Sequence, residues 1–133
     1  PTVQSVRAEH ACLLTGIRSD NNARRAEFGQ DNLLNIPGYQ VAVKTGTSGT
    51  TAGEVRDGWT IGYAPQALAA VWIGNTDNQP IAAGQSGYRL GAPLSNQVMT
   101  PNPGGQEAVG LPEPAGGVGP RGWPRPGARR PGP

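Results

Sequence analysis

The chain has 133 residues and a formal net charge of +2, which limits it to one domain or part of one. It contains one cysteine, Cys12, and one histidine, His10, so an internal disulfide and a histidine–cysteine zinc site are excluded. No apolar run approaches the roughly 20 residues that cross a bilayer, and no signal-peptide pattern is present. We therefore expect no metal and no other cofactor, and we expect any membrane or export signal to lie outside these residues.

Composition divides the chain near residue 99. Residues 100–133 hold nine Gly and nine Pro, whereas the first 99 residues hold 17 of the two types together. Acidic and basic residues balance in the first part, so the net positive charge belongs to the second. A segment of this composition buries too little apolar surface to offset the entropy of ordering. We predict a folded part over residues 1–99 and a disordered basic tail over 100–133, with no specific nucleic-acid partner.

The first predicted element is a helix. Apolar residues recur at helical spacing between Val6 and Ile17, which predicts a helix that starts at an N-cap, Ser5, and ends at Arg18. Residues 23–38 are interpreted as a connecting segment.

Three strands and a short helix follow. Alternating or continuous apolar character predicts strands over residues 39–47, 58–64 and 68–74. Leu90, Leu94 and Val98 predict the short final helix, over residues 88–99. Trp59, Tyr63 and Trp72 are interpreted as core residues. Together these elements predict an α+β fold: one helix, three antiparallel strands and a short helix.

The residues that carry chemistry end the first strand, in the order Lys44, Thr45, Gly46 and Thr47. Strand alternation places both threonine hydroxyls on one side, where both can reach a carboxylate. The glycine between them leaves room for an extended peptide along the backbone, and Lys44 adds positive charge. Free backbone N–H groups at such a strand end can also stabilise an oxyanion. An ordinary polar strand end before a Gly/Thr-rich loop would show the same four residues.

Several short motifs in the same order extend this pattern. They are SDNNAR at 19–24, FG at 28–29, VAVKTGT at 41–47, RD at 56–57 before Trp59, GY at 62–63 with Pro65, VWIGN at 71–75 and DN at 77–78. Over residues 5–99 the sequence resembles the carboxy-terminal part of the transpeptidase domain of class A penicillin-binding proteins. The resemblance implies an antiparallel sheet flanked by helices, in a domain that cross-links peptidoglycan stem peptides and is acylated by β-lactams.

That family uses three motifs, S-x-x-K, S-x-N and K-T-G, and the sequence contains the third. No serine is followed three positions on by a lysine, and Lys44 is the one lysine of the chain. Ser19, Asp20 and Asn21 do spell S-x-N, but they stand close before Lys44, whereas the family's S-x-N lies much further upstream. We interpret them as a turn that ends the first helix.

The resemblance implies a role for each residue of the K-T-G strand. Lys44 would supply positive charge and assist proton transfer, and Thr45 and Thr47 would bind the terminal carboxylate of the peptide or of a β-lactam. Gly46 would leave space for the substrate. The backbone N–H of Thr47 would form half of an oxyanion hole, whose other half belongs to the absent nucleophilic serine.

We therefore expect a fragment of a serine-type D,D-transpeptidase that is inactive alone. Its expected partners are the upstream half of the domain and, in the complete domain, a stem peptide or a β-lactam. The parent would act in the cell envelope, at the outer face of the cytoplasmic membrane. The alternative is a non-catalytic envelope module that binds peptide carboxylates or anionic polymers.

Overall fold

A computed structural model describes residues 3, 5–49, 53–81, 83–100 and 110–111. Its elements in chain order are α1 (Ala8–Ser19), α2 (Asn21–Phe28), β1 (Ala42–Gly49), β2 (Val55–Ala64), β3 (Ala67–Gly74) and α3 (Gly87–Met99). Helices and an antiparallel sheet confirm the predicted α+β class. Among the described residues, no helix is both long enough and apolar enough to cross a membrane.

The sheet is a meander in which each strand pairs with its neighbour along the chain, in the order β1-β2-β3. One rung aligns Thr45, Thr60 and Val71, and these side chains therefore share a face, which we call the helix face. The neighbouring rung aligns Gly46, Trp59 and Trp72, which lie on the opposite face, called here the open face. The β1–β2 register shifts between Ser48 and Gly49, where β1 ends.

Helix α3 packs on the helix face through residues with little or no side chain. Gly87 and Gly91 are buried on α3, and a Cβ atom at Gly91 would lie 2.6 Å from the Thr60 hydroxyl oxygen. On the strand side, a Cβ atom at Gly58 would lie 3.0 Å from Leu90 Cδ1. Thr60 is fully buried and donates its hydroxyl proton to the Gly87 carbonyl oxygen over 2.9 Å. The helix backbone therefore lies unusually close to the central strand.

A small apolar core lies under the C-terminal end of α3, at the end of the helix face away from Gly87. Its buried members come from the loop before β1, from β3 and from the last turn of α3, and they are Ile36, Val41, Ala69 and Met99. Tyr39, Val43 and Ala64 pack against them and are partly buried. The segment before β1 and strand β3 thus share one core with the end of α3. This shared core fixes where the helix lies on the sheet.

The helical part of the prediction needs two corrections. The first helix begins at Ala8, and its N-cap is Arg7 without a side-chain cap, so Ser5 is not the N-cap. A second helix, α2, begins just before the predicted connecting segment and occupies its first part; its N-cap Asp20 accepts hydrogen bonds from Asn22 N and Ala23 N. A side-chain cap, rather than apolar periodicity, marks this helix, because none of its residues is buried.

The assignment of the core was also partly wrong. Trp59 and Trp72 do share a face, but that face is the open one, and their side chains are 41% and 44% exposed. On α3, Leu94 and Val98 are exposed, and the buried stripe consists of Gly87, Gly91, Ala92, Ser95 and Met99. Four of the five residues in this buried stripe are small, because the helix packs so closely against the sheet.

The predicted disorder of residues 100–133 falls outside the described residues except at three positions, Thr100, Gly110 and Leu111. The backbone N–H of Leu111 donates to Gln40 Oε1 over 3.4 Å. Thr100 caps α3, since its backbone N–H donates to Asn96 O.

Candidate functional site

The four residues singled out in the sequence lie on β1, which is an edge strand among the described residues. Thr45 and Thr47 lie on the helix face, since their Cα partners on β2 are Thr60 and Gly58. Lys44 lies on the open face opposite Ile61. The structure therefore places the two hydroxyl-bearing side chains on one side and the ammonium group on the other.

Thr47 is held by the first residue of α3. Its Oγ1 atom accepts a hydrogen bond from the backbone N–H of Gly87 over 2.9 Å. Gly87 is also in close contact with the strand, because a Cβ atom there would lie 2.1 Å from the Gly46 carbonyl oxygen. A hydroxyl that accepts one hydrogen bond still has its own proton to donate. The contact with α3 therefore orients the Thr47 hydroxyl and leaves it able to bind an anionic oxygen.

Lys44 has an exposed side chain whose ammonium group donates to the backbone carbonyl oxygen of Thr45. An ammonium group has three protons to donate, so this contact leaves two for water or for a ligand. The positive charge therefore lies beside the strand backbone that carries the two threonines.

A second group of polar side chains surrounds Asp57 on the open face, next to Thr47. Ser48 Oγ donates to Asp57 Oδ2 over 2.6 Å, and Trp72 Nε1 donates to Asp57 Oδ1 over 2.9 Å. We call these three residues, one from each strand, the Asp57 cluster. The hydrogen bond from Ser48, then that from Trp72 and then the charge of Arg56 lower the pKa of the Asp57 carboxyl, while burial opposes them.

Sequence reasoning missed the Asp57 cluster. In the sequence, Asp57 belongs to the motifs that carry the family resemblance but has no role assigned to it, and the size of Trp72 suggests a core residue. The available signal was the register of the strands, which aligns Ser48 with Asp57 and places Trp72 two rungs away on the same face. That register follows from tertiary pairing and cannot be read from either strand alone.

The local S-x-N sequence lies at the junction of α1 and α2. Ser19 Oγ donates to Gly16 O and accepts from Gln40 Nε2, both over 3.1 Å. Asp20 caps α2, and Asn21 Oδ1 accepts from Asn32 Nδ2 over 2.9 Å. All three side chains are engaged in local structure, in agreement with their interpretation as a helix-ending turn.

Arg24 of α2 connects this junction to the start of β1. Its guanidinium group donates to the carbonyl oxygens of Arg18, Leu34 and Val41 at distances of 2.6, 3.2 and 3.4 Å. Burial lowers the pKa of Arg24, and the nearby Asp20 carboxylate opposes that shift. Because an arginine stays protonated at all ordinary pH values, the group remains a charged hydrogen-bond donor. Its contacts hold α1, α2 and the segment before β1 in one arrangement.

Among the described residues, no three His, Cys, Asp or Glu side chains are grouped as a metal ion would require. Cys12 is partly buried on α1 and is not in a disulfide.

The chain thus has an α+β fold in which one edge strand carries two threonine hydroxyls and a lysine. The sequence matches the family described as "Penicillin binding protein transpeptidase domain" over residues 4–100. The chain therefore belongs to the penicillin-binding protein transpeptidase domain family.

A protein of Bacillus subtilis is also similar to the chain. The chain is 41% identical over 61 residues to "Penicillin-binding protein 1A/1B" of Bacillus subtilis (strain 168). The match covers 38% of this chain and 7% of that relative, so this chain corresponds to a small part of the relative's length. No solved structure matches the chain.

Proposed function

We propose that the chain is the K-T-G-bearing part of a D,D-transpeptidase domain that, when complete, cross-links peptidoglycan stem peptides and is acylated by β-lactams. The observation that carries the proposal is the arrangement on β1. Thr45 and Thr47 share one face of an edge strand, with the Lys44 charge beside the same backbone. The membership in the transpeptidase family supports it.

The proposed substrate contacts follow from this arrangement. An extended peptide ending in a carboxylate would lie along the free edge of β1 and would receive hydrogen bonds from the hydroxyls of Thr45 and Thr47. Lys44 would add electrostatic attraction and would assist proton transfer. Gly46 has no side chain that would keep the peptide from the backbone.

The backbone N–H of Thr47 is the proposed oxyanion donor. On an edge strand, backbone groups of alternate residues point away from the neighbouring strand. The contact between Lys44 Nζ and the Thr45 carbonyl oxygen supports an outward direction for Thr45, and residues two apart point the same way. Thr47 N–H would then face the free edge, where a tetrahedral intermediate could accept its hydrogen bond.

Acyl transfer needs a nucleophile that these residues do not supply. No serine of the sequence has a lysine three positions on, and the S-x-N residues at 19–21 are engaged at the α1–α2 junction. We infer that the serine, its lysine base and the catalytic S-x-N come from an upstream part of the same domain. The parent protein would work at the outer face of the cytoplasmic membrane, where peptidoglycan is assembled.

The test is to supply that upstream part. Residues 5–99 are grafted onto the upstream half of the transpeptidase domain of the Bacillus subtilis relative, and labelling by a fluorescent penicillin is followed on a denaturing gel. We expect the graft to be acylated and the 133-residue chain alone to stay unlabelled. The matched control is the graft with Lys44→Met, which removes the charge and should label more slowly.

Two outcomes would contradict the proposal. A covalent adduct on the isolated chain would show that it has a nucleophile of its own. A folded graft that takes no label would show that the β1 strand end cannot complete a transpeptidase site. In that second case the non-catalytic envelope module becomes the better description, and it predicts binding of acyl-D-Ala-D-Ala peptides by the isolated chain without acylation.

A further inference from the structure

The Asp57 cluster lies next to the proposed oxyanion donor. Ser48, whose hydroxyl is bonded to Asp57, directly follows Thr47 on β1. Trp72 holds the other carboxylate oxygen from the third strand. A chain of two hydrogen bonds therefore crosses the whole sheet and ends one residue beyond Thr47.

Thr47 and Ser48 are anchored from opposite sides of the sheet. Gly87 of α3 binds the Thr47 side chain on the helix face, and Asp57 binds the Ser48 side chain on the open face. A rotation of the strand about its long axis would have to break one of the two bonds. The pair therefore fixes the direction of the backbone groups between them.

This part of β1 needs such an anchor. β1 has a paired strand on one side among the described residues, and its register with β2 shifts just after Ser48. A bulge interrupts the regular ladder of hydrogen bonds, and the end of an edge strand is prone to fray. The Asp57 carboxylate accepts two hydrogen bonds at this irregular point, and bonds to a charged acceptor are stronger than neutral ones.

We propose that Asp57 is a positioning residue: through Ser48 and Trp72 it holds the end of β1 so that the Thr47 N–H keeps the direction an oxyanion donor requires. The proposal rests on the proposed function for the role of that N–H. The geometry on which it depends lies wholly within the described residues.

The first test measures backbone order in the 133-residue chain by ¹⁵N relaxation. In the unaltered chain we expect an order parameter of about 0.85 at Thr47, the value of rigid backbone, and in Asp57→Ala a fall toward about 0.6. Ser48→Ala should lower it to a similar extent, because the Ser48 hydroxyl makes the bond by which the Asp57 carboxylate holds β1. Ser48→Thr, which keeps the hydroxyl, should restore the value of the unaltered chain.

The controls separate positioning from general loss of structure. Asp31→Ala removes an exposed carboxylate away from the sheet and should leave Thr47 unchanged. The order parameter of Ala69, in the core, should stay constant in every variant. If Asp57→Ala does not fold, the pair Ser48→Ala and Ser48→Thr still decides the question. An unchanged Thr47 order parameter in Ser48→Ala would overturn the proposal.

The second test uses the graft that carries the upstream half of a transpeptidase domain. Asp57→Ala should slow acylation by penicillin by about tenfold, as expected for a displaced hydrogen-bond donor, in a graft that is still folded at the assay temperature. Rapid acylation of Asp57→Ala would overturn the positioning role. An unlabelled parent graft would instead overturn the proposed function, and the relaxation result would stand as a finding about the strand alone.

Discussion

The backbone N–H of Gly87 donates to Thr47 Oγ1 over 2.9 Å, which joins the first residue of α3 to the last residue of the K-T-G-T sequence. The contact makes Thr47 part of the packing between helix and sheet as well as part of the proposed binding site. A substitution at Thr47 is therefore expected to change both the stability of the domain and its acylation.

In the graft, Thr47→Val removes the hydroxyl and keeps the shape of the side chain. Loss of one hydrogen bond to a charged group should slow acylation by roughly ten- to a hundredfold, and the unpaired Gly87 N–H should lower the free energy of unfolding by about 1–3 kcal/mol. The variant should still fold. Time courses of fluorescent penicillin labelling and urea unfolding give the two quantities, and Thr47→Ser, which retains the hydroxyl, should be close to the unaltered graft.

At Ser19 we expect a substitution to change stability without changing acylation. Ser19→Ala removes hydrogen bonds to Gly16 and Gln40, which should cost about 1 kcal/mol of stability. Acylation of the graft should change by less than about threefold, since that loss does not touch the proposed site. A variant that is stable but no longer acylated would mean that Ser19 is catalytic and that the motif assignment is wrong.

Arg24 should be the main polar determinant of stability at the α1–α2 junction. Arg24→Ala leaves the carbonyl oxygens of Arg18, Leu34 and Val41 without their donor, and we expect a loss of about 2–4 kcal/mol. Arg25→Ala is the matched control, because its exposed neighbouring side chain should matter by less than about 0.5 kcal/mol. Equal effects of the two substitutions, measured by urea unfolding, would contradict the role given to Arg24.

Asp57 should make stability depend on pH in the acid range. The pKa of its carboxyl is lowered in the folded state from the ordinary value of 3.8, so the unfolded state takes up a proton first as the pH falls. The contribution of Asp57 is therefore fully present above that ordinary pKa and is lost as the pH falls through the lowered value. Urea unfolding at pH 7 and pH 3 should show a smaller acid loss in Asp57→Asn than in the unaltered chain. Asp31→Asn, at an exposed position outside the strands, is the matched control.

The strands could be predicted because their residues carry the information locally. β-Branched and aromatic residues with turn residues between them located β2 and β3 to within three residues at each end. The K-T-G strand was found in the same way, and the alternation of Thr45 and Thr47 agrees with the observed register. Helix α2 was missed because its polar sequence has no apolar period, and its signal was the cap at Asp20.

The identity of the buried face could not be predicted. Trp59 and Trp72 suggested a core by their size, whereas the face that α3 covers is lined by residues such as Thr60 and Gly62. A helix that packs through glycines needs small partners, and small residues give weak periodic signals. The contacts of Thr47 with Gly87 and of Asp57 with Trp72 depend on tertiary geometry. Neither partner's local sequence contains a pattern that predicts them.

The separation of 40 residues between Thr47 and Gly87 has a consequence for the order of folding. The three strands pair with their chain neighbours and can form successive hairpins, but Thr47 gains its partner when α3 closes onto the finished sheet. During synthesis the proposed binding strand is therefore made well before the helix that orients the hydroxyl of Thr47. We expect the proposed site to be among the last parts of this chain to reach its native geometry, and a chain ending before residue 87 to carry the whole K-T-G sequence with the Thr47 hydroxyl lacking its partner on α3.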